Sequence, residues 1–203
     1  MVGPSRYSLT DSEAGIDDGV LKNKLHIKNS TELEDLETLL LSDTYAHFLA
    51  LIEKRTVTFD LAFLCSIHKF FLGTLYAWAG KIRTVDLSKD GVLFAPIKFM
   101  TQSLQSFSLV LRNHHLAPTD RKHQVAHKLA IIHNEFNILH PFREGNGRTI
   151  RLFMDLIAVN AGYNPIDWSK RSHTTYIQAC VKGLSGEHEA MSNIIYAGLT
   201  MKK

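Results

Sequence analysis

His140-Pro-Phe-Arg-Glu-Gly-Asn-Gly-Arg-Thr-Ile-Arg151 is the stretch on which the reading of this chain turns. Pro141 disfavours helical dihedrals at the residue before it, so a preceding helix must end at His140. Gly145-Asn146-Gly147 permits a backbone that turns successive N–H groups to one side, a nest for anions. The next residues open a strongly apolar helix, whose N-terminus also favours negative charge. Arg148 and Arg151 are three apart and share a face of its first turn. Cations there oppose the helix dipole, a cost that makes sense where an anionic ligand sits. Glu144 offers a hard oxygen for Mg²⁺, which is commonly held by one or two carboxylates together with phosphates. His140, with an ordinary pKa near ~6.5, has the residue type of a general base at neutral pH. Phe142, apolar among polar neighbours, anchors the loop to a core.

Outward from this loop the chain is helical. Ser30 with Leu33, Leu36, Leu39 and Leu40 gives an N-cap and i, i+3, i+4 apolar spacing, continued by Thr44 to Lys54. Asp60 caps a helix towards Tyr76, Ile97 to His114 forms another, and Thr119 or Asp120 caps one reaching Ile138. After the loop, Gly147 to Ala161 is apolar enough to be buried on most sides, and Gly162 and Pro165 end it. Two helices follow, near 168–182 and 187–199. The exception is Trp78 to Pro96, where Lys89-Asp90-Gly91 separates two short β-prone runs and predicts a hairpin. The fold expected is all-α, a helical bundle with one β-hairpin, with residues 1–20 as a flexible N-terminal arm and 21–203 as a single domain.

The chain has 203 residues, 45 % apolar and 21 % charged, which is ordinary for a globular domain. A net charge of +3 without a basic block gives no support for direct nucleic-acid binding. No apolar run approaches a membrane span of ~20 residues, and the N-terminus has no apolar signal core. Cys65 and Cys180 read as free thiols. His123 and His127, four apart, have no third ligand at a telling spacing and read as a solvated helix face.

HPFREGNGRTIR matches the signature HxFx(D/E)GNGRxxR of the Fic family, which the chain resembles from about residue 21 to 199. LKNKL at 21–25, YAWAGKIRTVDLSKDGVLFAP at 76–96 and GEHEAM at 186–191 are similar to further family segments. The resemblance implies a Fic-fold bundle and a protein adenylyltransferase, moving AMP from ATP to a Ser, Thr or Tyr hydroxyl of a target protein. It implies His140 as base and Glu144 on Mg²⁺. Asn146, with backbone N–H groups around Gly145 and Gly147, would hold the α-phosphate, Arg148 the β-phosphate and Arg151 the γ-phosphate. Tyr176 is placed near adenine, with a core aromatic as the competing reading. The flap residues Leu87, Ser88, Lys89, Asp90, Gly91, Val92, Leu93 and Phe94 would dock an extended target segment by strand addition. Gly145 and Gly147 favour adenylylation over the kinase and phosphocholine-transferase branches, which carry alanine at the first position. A non-catalytic nucleotide-binding module or a kinase is the alternative.

Many relatives carry an inhibitory (S/T)xxxE(G/N) helix whose Glu pairs with the second motif arginine, here Arg151. Ser30 to Glu34 is followed by Asp35, and Ser185 to Glu189 by Ala190, so neither match is complete. The expectation is a separate small antitoxin that supplies this helix, and a place in the bacterial cytoplasm, or in a host cell if the protein is an injected effector.

Overall fold

The computed structural model describes residues 15–17, 20–54, 57–89, 92–117 and 119–202. Among these, seven α-helices form the body: α1 (Ser30–Lys54), α2 (Leu61–Leu72), α3 (Met100–Asn113), α4 (Lys122–Leu139), α5 (Asn146–Asn160), α6 (His173–Gly183) and α7 (Glu189–Gly198). The expected helical bundle is thereby seen.

Helix α5 is the axis. Leu152 to Val159 are all buried, so no face of that stretch meets water, as its apolar pattern, broken only by Asp155, predicted. Helices α1, α2 and α4 pack around it, and α3, α6 and α7 pack on α4. The main core runs through Ile67, Leu129, Phe136, Phe142, Phe153 and Leu156. A smaller cluster of Val20, Leu33, Phe71, Leu72, Leu75 and Tyr76 lies where α1 meets α2.

Local chemistry sets the helix ends. Asp60 caps α2 as expected, its carboxylate accepting from the Phe63 N–H. The cap of α1 is Asn29, whose side-chain oxygen accepts from the Glu32 N–H, and Ser30 is already helical. At α4, Gln124 accepts from the Arg121 N–H. Asp120 instead accepts from the Ala117 N–H and pairs with Lys128, so the cap falls on Arg121 and the helix starts one residue later than the Asp120 carboxylate suggested. The segment near 168–182 splits into a 3₁₀ turn (Trp168–Lys170) and α6, which Ser172 caps.

The hairpin at the flap exists. β3 (Ser88–Lys89) pairs antiparallel with β4 (Val92–Leu93), with Ser88 opposite Leu93 and Lys89 opposite Val92. Asp90 and Gly91, the expected turn, lie outside the described residues. A second two-stranded ladder, unanticipated, joins β1 (Ile16–Asp17) to β2 (Val20–Leu21). Val20 is buried in the smaller core cluster, so packed structure begins before the boundary expected at residue 21. Both cysteines are free thiols.

Candidate active site

The motif loop bridges the C-terminus of α4 and the N-terminus of α5. His140 closes α4 in the left-handed region, with φ 44° and ψ 60°. That geometry swings the chain out of the helix and brings the ring under the flap. The imidazole is buried, 7 % exposed, and stacks on Phe94 at 3.8 Å between centroids with 11° between planes. A hydrogen bond with the Asn137 backbone orients it. Burial pushes its pKa down to about 3, against that hydrogen bond and with help from the positive charges of Arg83 and Lys89. The expectation of a near-ordinary pKa is therefore corrected. The ring is held neutral at physiological pH and is intrinsically a weaker base than an exposed imidazole.

The loop beyond it is stapled at both ends. Phe142 is fully buried and stacks on His68 at 3.8 Å and 4°. The carboxamide of Asn146 accepts from the Phe142 N–H at 2.9 Å and donates to the Phe142 carbonyl at 2.7 Å. The side chain thus closes the loop on itself, and what Asn146 presents to a ligand is its backbone. His68 bridges the loop to the rest of the fold. Its Nε2 donates to the Glu144 carbonyl and its Nδ1 accepts from the Gly80 N–H, which fixes the neutral tautomer. Burial lowers its pKa to about 4.

The two glycines differ. Gly145 adopts φ +79°, and a Cβ there would stand 2.8 Å from Leu72 Cδ1. It is a glycine for the sake of the fold. A Cβ added at Gly147 would have Arg151 Nη1 as its nearest neighbour, at 3.8 Å, so the protein does not crowd that position. Helix α5 begins at Asn146, and its first i→i−4 bond runs from the Thr149 N–H to the Gly145 carbonyl. The N–H groups of Asn146, Gly147 and Arg148 therefore have no helical carbonyl to bond, an arrangement that favours an anion at a helix N-terminus.

Charged side chains surround this nest. Glu144 Oε1 accepts from the Gly145 N–H at 2.8 Å and lies 3.7 Å from Arg148 Nη2. A single carboxylate beside a helix N-terminus that favours phosphate fits the way Mg²⁺ is held. Among the described residues no cluster of three or more His, Cys, Asp or Glu could hold a metal without such phosphates. Arg148 stacks on Phe71 and donates through Nη1 to Glu37 at 2.6 Å. Arg151 lies over the ring of Tyr176 at 5.5 Å. The Tyr176 hydroxyl is bonded to His133 Nε2 at 2.8 Å, and its ring stands edge-on to Trp168. His140, Glu144, Arg148 and Arg151 thus come together on one loop and one helical turn, with Tyr176 joined through Arg151.

The flap is anchored by a residue the sequence did not announce. Arg83 is buried and donates to the carbonyls of His140, Val85, Ala95 and Leu139. The Arg83 N–H reaches Pro141 O and the Ala95 N–H reaches Ile138 O, so both flap stems are tied to the α4 exit. Leu87 and Phe94 point inward, whereas Lys89 and Leu93 are exposed. Glu37 and Asp155 were also missed. A signal existed for both: each is a carboxylate on an otherwise apolar helix stripe. Asp155 accepts from the Tyr45 hydroxyl, the Trp168 indole and the Ile166 N–H, and burial raises its pKa to about 6. No comparable signal marks His68 or Arg83.

A bundle built around a buried helix, with a histidine-terminated loop feeding its N-terminus, is the architecture of Fic domains, and the chain belongs to the Fic family. The Fic/DOC family profile matches residues 58–158. Protein adenylyltransferase VbhT of Bartonella schoenbuchensis is 35 % identical over 94 % of this chain. The chain spans 38 % of that relative's length. "Probable protein adenylyltransferase y4lH" of Sinorhizobium fredii is 30 % identical over 83 % of this chain and 85 % of its own. Among solved structures, the N-terminal Fic domain of a VirB-translocated Bep effector protein of Bartonella quintana, with bound ADP, superposes with a TM-score of 0.78 at 25 % identity. That match covers 90 % of this chain and 92 % of the other.

Proposed function

We propose that this protein is an adenylyltransferase that moves AMP from ATP to a hydroxyl side chain of another protein. The observation that carries the reading is the joining of a neutral, oriented histidine to an anion nest and two arginines within one helical turn. His140 takes the proton of the target hydroxyl. The freed oxygen attacks the α-phosphorus, the bond to the bridging oxygen of the β-phosphate breaks, and pyrophosphate leaves with the electron pair. The N–H groups of Asn146, Gly147 and Arg148 stabilise charge on the phosphates, with Arg148 on the β- and Arg151 on the γ-phosphate. Preorganised donors of this kind supply most of the rate in such transfers. Glu144 is the residue that would hold Mg²⁺, which neutralises phosphate charge. The ring of Tyr176 borders the nucleotide through Arg151.

The target's extended segment adds to the flap, where exposed Leu93 and Lys89 face it and inward Phe94 rests on His140. Residues 21–203 act as one Fic domain. A small partner protein brings an inhibitory glutamate to Arg151. Its need is supported by Glu34 and Glu189, the ends of the two incomplete motifs, both lying on exposed surface. The protein works in the bacterial cytoplasm or, as the effector likeness allows, in a host cell. Among the described residues no helix is long and apolar enough to cross a membrane.

The test is incubation with Mg²⁺ and α-³²P-ATP in bacterial and eukaryotic extracts, beside the His140→Ala variant. Label on a protein band that drops by about 10²–10⁴-fold without the histidine is expected. Bound nucleotide without label would point to a binding module. Label from γ-³²P-ATP alone would point to a kinase.

A further inference from the structure

Glu37 lies on α1, more than a hundred residues from the motif, and is 4 % exposed. A buried carboxylate persists only where its oxygens are satisfied, and here both are. Oε1 accepts from the Tyr76 hydroxyl at 2.6 Å, and Oε2 accepts from Arg148 Nη1 at 2.6 Å. Tyr76 is itself fixed by stacking on Trp78 at 4.5 Å. The guanidinium of Arg148 is therefore held on three sides, by Glu37 at Nη1, by the Phe71 face below and by Glu144 at 3.7 Å. Its Nη2 is buried and makes no hydrogen bond. An arginine clamped at one nitrogen and left with donors on the other, beside the open N-terminus of α5, is poised to donate to an anion.

We propose that Glu37, seated by Tyr76, is a positioning residue that sets Arg148 Nη2 for the β-phosphate of ATP. This rests on the assignment of Arg148 to that phosphate. Neither partial inhibitory motif includes Glu37, and it grips the first motif arginine, not the second.

The experiment compares binding of the ATP analogue AMPPNP and of AMP, both with Mg²⁺ and without any target protein present, to the full chain by calorimetry. Glu37→Gln should weaken AMPPNP about tenfold, the scale of one charge-assisted hydrogen bond, and leave AMP unchanged. General damage to the fold would weaken both nucleotides equally and overturn the proposal, as would unchanged or tighter AMPPNP binding. With Arg148→Lys in place, Glu37→Gln should add nothing. If Glu37→Gln does not fold, Tyr76→Phe must show a smaller loss confined to AMPPNP, and equal binding of both nucleotides by that variant overturns the idea. Wild-type protein that binds AMPPNP but gives no His140-dependent label would sink the transferase reading while leaving this one standing. Wild-type protein that binds neither nucleotide would end both.

Discussion

Three histidines are buried neutral, and the fold should therefore be acid-labile well above the pH at which carboxylates protonate. His68 and His133 have pKa values lowered to about 4 and His140 to about 3, in each case chiefly by burial. In the unfolded chain each returns to about 6.5. Below that value the unfolded state takes up protons that the folded state refuses, so their contribution to stability is complete above pH ~6.5 and declines as pH falls towards 4. Between about pH 7.5 and 5, each histidine costs about 2 kcal/mol, roughly 6 together. Asp155 works the other way. Its folded pKa of about 6 lies above the ordinary carboxylate value, so protonation in this range favours the folded state, by about 1 kcal/mol. The net loss of about 5 kcal/mol is comparable with the whole stability of many domains. Urea unfolding followed by circular dichroism at the two pH values is the assay. With a slope of about 2 kcal/mol per molar urea, the midpoint should fall by roughly 2.5 M. Equal midpoints would refute the reasoning. So would a histidine NMR titration placing any of the three above pH 6 in the folded protein.

Gly145→Ala should destabilise by about 1–3 kcal/mol, because φ +79° is costly for alanine and the new methyl meets Leu72 at 2.8 Å. Urea midpoints measure it, and no shift would refute the strain argument. Arg83→Met leaves the carbonyls of His140 and Ala95 without their guanidinium donor. A loss of about 3 kcal/mol is expected, with faster amide exchange at Ala95, and Arg83→Lys should fall between, keeping the charge without the planar fork. Retained exchange protection at Ala95 in Arg83→Met would show that the flap does not depend on this residue.

The helices and the hairpin could be read from the chain because their signals are local. Apolar spacing, Asp60 and the Asp-Gly pair act over a few residues, and the structure differs mainly where a carboxylate found another partner, as Asp120 did with Lys128. The loop from His140 to Arg151 was legible for the same reason. Its donors, acid and base are contiguous, so spacing alone places them together. What spacing could not supply was environment. The pKa of His140 depends on Phe94, forty-six residues earlier, and on the charge of Arg83. The orientation of Arg148 depends on Glu37 and Tyr76, and the shape of the loop on His68. Sequence determined which charged and titratable groups this protein gathers where α4 hands over to α5. Only tertiary packing decided which of them are dry, which way they face and which already hold a partner, because burial and pairing are properties of neighbours that the chain brings together only on folding.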